Sequence, residues 1–152
     1  MAFGTGLRPA GGLVMAGAGP GGAAVSEPER LARNKRLVED FLAVAHGDLA
    51  GLDRLGEFAA VDYMQHNPNI GQGLEGLRTF FTHILSLPPS ERLDPAKELK
   101  VHLIAEGDFV VRHEIREDGL LINVFRIEDG LVKEHWDAFR PPPGGAIIHG
   151  LE

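Results

Sequence analysis

The hexapeptide Tyr63-Met64-Gln65-His66-Asn67-Pro68 sets a phenol, two amides and an imidazole side by side at the end of an apolar segment, just before a proline. Further on, His135-Trp136-Asp137 spaces an imidazole and a carboxylate two residues apart, which on a strand puts both on one face. Removing a proton alpha to a carbonyl needs such a base and a donor for the enolate oxygen, both sheltered from water. His135 with Asp137 is the candidate base, the carboxylate raising the imidazole pKa. His113 or Asn123 would hold the oxyanion, and Tyr63 or His66 would act as the acid.

Each candidate has a plainer role. His66 can satisfy the backbone of a turn, His113 can be a core histidine, and Gln65 and Asn67 can fix the turn before Pro68. Trp136 can serve packing, and Arg126 with Glu134 reads as a structural ion pair. His46, His83, His102 and His149 read as surface residues. Three converging imidazoles and a carboxylate could also bind zinc or iron. No ligand pair stands at helical i, i+4 spacing, and no metal is assigned. The chain has no cysteine, and Ser26, Ser86 and Ser90 lie in cap or loop contexts without a glycine elbow, which disfavours nucleophilic catalysis.

These groups need a scaffold. The 152 residues, 43% hydrophobic and 24% charged, fit one domain with a real core. A net charge of -7 with no basic run speaks against nucleic acid and anionic membrane as partners. Residues 1–25 are rich in Gly and Ala, with no signal h-region or membrane span, and read as a disordered tail on a cytoplasmic protein. Met15 is an alternative start. The folded domain is expected over 26–142, with a C-terminal tail at 143–152.

Ser26-Glu27-Pro28-Glu29 reads as a capping box opening a helix through Leu31, Leu37, Val38, Phe41, Leu42 and Ala45, with Gly47 as a left-handed stop. Asp48 caps a shorter helix through Phe58. A third helix follows "GQGLEG" and carries Leu74, Leu77, Phe80, Phe81, Ile84 and Leu85 until Pro88-Pro89 ends it. After Pro95 the pattern alternates, and turns at Glu106, Glu117 and Glu128 divide strands at about 98–106, 108–117, 120–128 and 131–140. Helices first and a meander afterwards predict an α+β fold, with three helices on one face of a curved antiparallel sheet.

Reading each Glu-Asp-Gly as a three-residue hairpin loop pairs Arg116 with Leu120 and His113 with Asn123. The second loop then pairs Ile127 with Leu131, Asn123 with His135 and Leu121 with Asp137. One face would collect Phe109, Val111, His113 and Ile115 with Leu121, Asn123, Phe125 and Ile127, and then His135, Asp137 and Phe139. That is an apolar wall with a few polar groups set into it, as in ligand pockets. A two-residue Asp-Gly loop would turn Glu134 and Trp136 inward instead.

"YMQHNPNIGQGLEGLRTFF", "IAEGDFVVRHEI" and "VFRIEDGLVKEHWDAFRPPP" resemble the SnoaL-like branch of the NTF2-like superfamily, from about Asn34 to Pro142. The combination of Gln-His-Asn-Pro with Glu-His-Trp-Asp is the specific part. The resemblance implies a cone-shaped barrel, a homodimer, and an apolar cavity in which Tyr63, Phe80, Asn123, Phe125 and Trp136 would contact a hydrophobic small-molecule substrate. It also implies aldol-type cyclisation or isomerisation by acid-base chemistry at His66, His113, His135 and Asp137, with no cofactor. Relatives with this cavity isomerise, dehydrate, hydrate epoxides or hydroxylate, and fold alone does not set the reaction. Asn123 and Arg140 stand where Asp is expected in such cyclases. A binding protein without catalysis, or a hydrolase or hydratase using the same pocket, are the alternative functions.

Overall fold

The structure, a computed structural model, describes residues 25–144, so the expected N-terminal tail and all but the start of the C-terminal tail lie outside the described residues. Helix α1, Glu27–Ala45, opens on the capping box: the Ser26 amide and hydroxyl both donate to Glu29 Oε2, at 3.0 and 2.7 Å. It ends through His46 rather than on a left-handed Gly47. Asp48 then accepts from the Gly51 amide at 2.7 Å, and the segment Gly51–Glu57 is a 3-10 helix. Helix α2, Gly73–Ser86, buries Leu77, Phe81, Ile84 and Leu85.

Strands β2 (Glu98–Glu106), β3 (Phe109–Arg116), β4 (Gly119–Glu128) and β5 (Leu131–Arg140) form the expected meander. A further strand, β1 at Ala59–Gln65, is absent from the sequence expectation. It runs parallel to β5 and gives a mixed sheet of order β1-β5-β4-β3-β2. Val38 and Phe41 of α1 and Leu77 and Phe81 of α2 pack on one face of this sheet, against Val110, Phe125 and Val132. Burying each such side chain contributes about 1.5–3 kcal/mol. Phe41 meets Phe125 edge to face at 6.0 Å, which joins helix to sheet at the centre of the core.

The hairpin register departs from expectation at both Glu-Asp-Gly sites. Arg116 pairs with Gly119, leaving a two-residue turn, so His113 lies opposite Ile122 and Arg112 opposite Asn123. Gly119 belongs to the ladder, where a Cβ would stand 2.5 Å from the Arg140 carbonyl oxygen and 2.8 Å from the Phe139 ring. The glycine serves a close approach between strands rather than a loop. One residue of slip exchanges the faces of β3. Val110, Arg112, Glu114 and Arg116 turn inward, and Phe109, Val111, His113 and Ile115 turn outward.

The second hairpin is also a two-residue loop, with Asp129 and Gly130 at φ 52° and 76°. Glu128 pairs with Leu131 and Ile127 with Val132, but a bulge at Lys133 brings Arg126 opposite Glu134. That extra residue reverses the parity, and His135 and Asp137 face inward despite the short loop. Phe125 opposes His135 and Asn123 opposes Asp137. Arg126 and Glu134 pair on the outer face, with Nε donating to Oε2 at 2.7 Å.

Candidate active site

A cavity of about 510 Å³ lies between the helices and the inner face of the sheet. Phe41, Phe80, Phe81, Ile84, Leu121 and Phe125 supply much of its apolar wall. The polar lining comes from Glu39 and His46 of α1 and its end, Tyr63 and Gln65 on β1, Glu98 on β2, Arg112 and Glu114 on β3, Asn123 on β4, and His135 and Asp137 on β5. Arg112, Asn123 and Asp137 are directly opposed across three neighbouring strands, so the polar groups form a row across an otherwise apolar surface.

Strand β1 decides what the hexapeptide contributes. Alternation along a strand sends Tyr63 and Gln65 inward and Met64 outward, so Tyr63 and His66 cannot share a face. Tyr63, Gln65 and Asn67 are all buried, at 2%, 3% and 5% exposure. His66 instead stacks flat on Trp136 outside the sheet, ring centroids 4.6 Å apart, with its Nε2 2.8 Å from Glu134 Oε1. Of the expected catalytic residues, His66 and His113 therefore stand on the outer face. Of the expected substrate contacts, Trp136 does too. Because those residues lie on opposite sides of the sheet from His135 and Asp137, the four-residue cluster considered for a metal does not form.

His135 is a buried neutral imidazole. Desolvation, with a smaller push from His66, lowers its pKa to about 3. Asp137 does not raise it, as the sequence reading expected, because Asp137 is not its partner. His135 Nδ1 lies 3.0 Å from Gln65 Nε2, and its Nε2 lies 3.1 Å from Asn123 Oδ1. Its ring also stacks on Phe125 at 4.7 Å.

Asp137 is held differently. Asn67 Nδ2 donates to both of its carboxylate oxygens, at 3.0 and 3.1 Å. Burial still raises its pKa above the ordinary carboxylate range, against the lowering effect of that hydrogen bond. The Tyr63 phenol is pushed up as well, first by burial and then by the charge of Asp137. Gln65 Nε2 donates to the Tyr63 hydroxyl at 3.1 Å.

Behind this row lies a charged floor that the sequence reading missed, because the assumed register turned β3 over. Glu114, 1% exposed, takes Arg112 on one oxygen and Arg116 on the other, the latter at 3.2 Å. Arg112 also donates to both oxygens of Glu98, at 3.0 and 3.1 Å. Asn123 Nδ2 donates to Glu114 at 3.3 Å, which joins the floor to His135. His46, expected at the surface, faces the cavity. The residue is exposed as well as lining the cavity, its ring 5.1 Å from that of Phe81, and desolvation with the Arg112 charge lowers its pKa to about 4.

No protein-family model matches the sequence, and no curated protein matches it. Among solved structures, TsrD from Streptomyces laurentii is 26% identical, with 71% of this chain and 88% of that one covered and a TM-score of 0.48. An NTF-2-like protein from Burkholderia xenovorans LB400 is 15% identical over 73% of this chain and 85% of that one, with the same TM-score of 0.48. A candidate ketosteroid isomerase from Kribbella flavida DSM 17836 is 20% identical over 75% of this chain and 85% of that one, at TM-score 0.50. At that identity the likeness is one of fold.

Proposed function

We propose that this chain, whose fold is the α+β cone of the NTF2-like proteins, is an enzyme that moves protons on an uncharged apolar carbonyl compound without a metal or organic cofactor. Asp137 is the base and the Tyr63 hydroxyl is the donor to the carbonyl oxygen. The observation that carries this reading is a carboxylate held by Asn67 in the wall of an apolar cavity, its pKa raised by burial, with the buried Tyr63 phenol lining the same cavity. A base poised above its ordinary pKa is more effective near neutral pH.

Asp137 takes the proton alpha to the carbonyl, and the C–H electron pair becomes the enolate double bond while Tyr63 donates to the oxygen. Returning the proton at a different carbon isomerises the substrate. Alternatively the enolate carbon attacks a second carbonyl and closes a ring, and the new alkoxide takes the proton back from Asp137. An uncharged substrate fits because Arg112 and Arg116 are already matched by Glu98 and Glu114. The isomerase and cyclase outcomes are those suggested by the Kribbella flavida likeness and by the sequence resemblance. His135 takes a supporting role, since both its nitrogens are occupied within the protein.

The homodimer implied by the resemblance belongs to the same reading and would cover Ile104, Phe109 and Ile115, exposed on the outer face at 56%, 43% and 40%. Sedimentation at increasing concentration tests it; a monomer throughout contradicts it. A binding protein without turnover is the second reading, favoured by the engagement of both His135 nitrogens. Exchange of ketone alpha-hydrogens for deuterium, followed by NMR, separates the two. The enzyme exchanges them and loses exchange in Asp137→Asn with the ketone still bound, whereas a binding module gives no exchange above buffer.

A further inference from the structure

The amide of Gln65 stands between the two aromatic polar groups of the site, and its orientation is fixed from outside. Its Oε1 accepts from the backbone amides of His66 and Asn67, both at 2.9 Å. Its Nε2 therefore points inward, 3.1 Å from the Tyr63 hydroxyl and 3.0 Å from His135 Nδ1. Oε1 also lies 3.2 Å from Nδ1, so the proton order needs a second anchor.

Glu114 supplies that anchor. A carboxylate needs a donor, so Asn123 turns Nδ2 to Glu114 and Oδ1 to His135 Nε2, at 3.1 Å. His135 Nε2 must then carry the hydrogen, and in a neutral ring Nδ1 is left as an acceptor for Gln65. The backbone fixes one end of the chain and a buried carboxylate the other, and both give the same tautomer. The hydrogen bonds run in one direction, Gln65 to His135 to Asn123 to Glu114.

For Tyr63 the consequence concerns its free hydrogen. Its oxygen accepts from Gln65, and among the described residues no group accepts from its O–H, although the residue lines the cavity. We propose that Gln65 is the positioning residue of the site: it fixes His135 as the Nε2–H tautomer and turns the Tyr63 hydroxyl into a donor aimed at the ligand. The ligand must then present an acceptor oxygen beside Asp137. This last step rests on the proposed carbonyl chemistry; the tautomer does not.

The test is nitrogen-detected NMR of the histidines in the ligand-free protein, with Gln65→Glu as the variant. On the cavity side His135 shares its surroundings with Tyr63 and Gln65 from β1, Arg112 and Glu114 from β3, Asn123 from β4, Asp137 on its own strand and His46 at the end of α1, while His66 acts on it only through its charge from the outer face. Only Gln65 changes from donor to acceptor in the variant. Wild-type His135 should show a hydrogen on Nε2 and none on Nδ1 at pH 7. Gln65→Glu should place a hydrogen on Nδ1 and move the titration of His135 up by more than one pH unit. A wild-type ring bearing its hydrogen on Nδ1, or a variant with an unchanged ring, overturns the proposal. If the variant does not fold, the wild-type tautomer decides alone. In the same pair, wild type should bind an aromatic ketone about tenfold tighter than the matching hydrocarbon, the worth of one neutral hydrogen bond. The Glu variant should lose that preference, because its carboxylate takes the Tyr63 hydrogen. The expected tautomers in both proteins with no ketone preference in wild type would sink the carbonyl reading and leave the Gln65 assignment of His135 standing.

Discussion

Lowering the pH should destabilise this protein through His135, and the size of the effect follows from its burial. The ring is 7% exposed and its pKa falls to about 3, whereas in the unfolded chain a histidine titrates near 6.5. A histidine with a depressed native pKa stays neutral in the fold while the unfolded chain takes up a proton. Stability is therefore fully present above about pH 6.5 and declines as pH falls towards the native value. Between pH 7 and pH 4 the loss from this one group amounts to about 3 kcal/mol at 25 °C. Urea unfolding of wild type and His135→Gln at both pH values isolates it, since every other group, His46 included, contributes to both proteins. His135→Gln should lose about 3 kcal/mol less than wild type on acidification, although it starts lower at pH 7. Equal acid losses in the two proteins would refute the neutral, doubly hydrogen-bonded imidazole, and with it the one-directional chain through Asn123.

Asp137→Asn should separate stability from activity. Burial raises the native pKa of Asp137, so stability is lost as pH rises through that value; removing the charge makes the variant no less stable than wild type at pH 7 by urea unfolding. Its alpha-proton exchange should fall by about 10²–10⁴, the usual contribution of a positioned base. Glu114→Ala takes one carboxylate partner from Arg112 and from buried Arg116, which keep Glu98 and Asp118 respectively, and should cost about 1–3 kcal/mol of unfolding free energy. Gly119→Ala drives a Cβ to 2.5 Å from the Arg140 carbonyl and should cost about 2 kcal/mol or more, whereas Gly107→Ala meets open space and should cost about 1 kcal/mol for its left-handed φ of 55°. Similar midpoint shifts in those two glycine variants would contradict the close approach of β3–β4 to β5.

Much of the scaffold was legible because its signals are local. The capping box at Ser26, the apolar face of Leu77, Phe81, Ile84 and Leu85, and the alternation after Pro95 each act within a few residues. Strand β1 escaped because Ala59, Ala60 and Asp62 have weak strand preference and its parallel partner β5 lies far along the chain, with no turn to announce the pairing. Missing that strand hid the alternation that turns Gln65 inward and His66 outward. The register errors have a different origin. Glu-Asp-Gly suits either loop length, and a face is lost or recovered by a single residue. His113 was lost because Gly119 lies inside the ladder, while His135 and Asp137 face the cavity because the bulge at Lys133 offsets the shorter turn. Bulges leave little trace in sequence, and here one sets which groups line the cavity.

In the proposed chemistry a carbonyl ligand sits between Asp137 and Tyr63. A crystal structure with a bound phenol, whose oxygen imitates that of an enolate, tests it most directly. We expect the ligand oxygen within about 3 Å of the Tyr63 hydroxyl, the ring against Phe125 and Phe80, and the Asp137 carboxylate against the ring carbon next to the oxygen-bearing one. A phenol bound instead along Arg112 and Glu98, with Tyr63 and Asp137 untouched, would contradict the proposed chemistry.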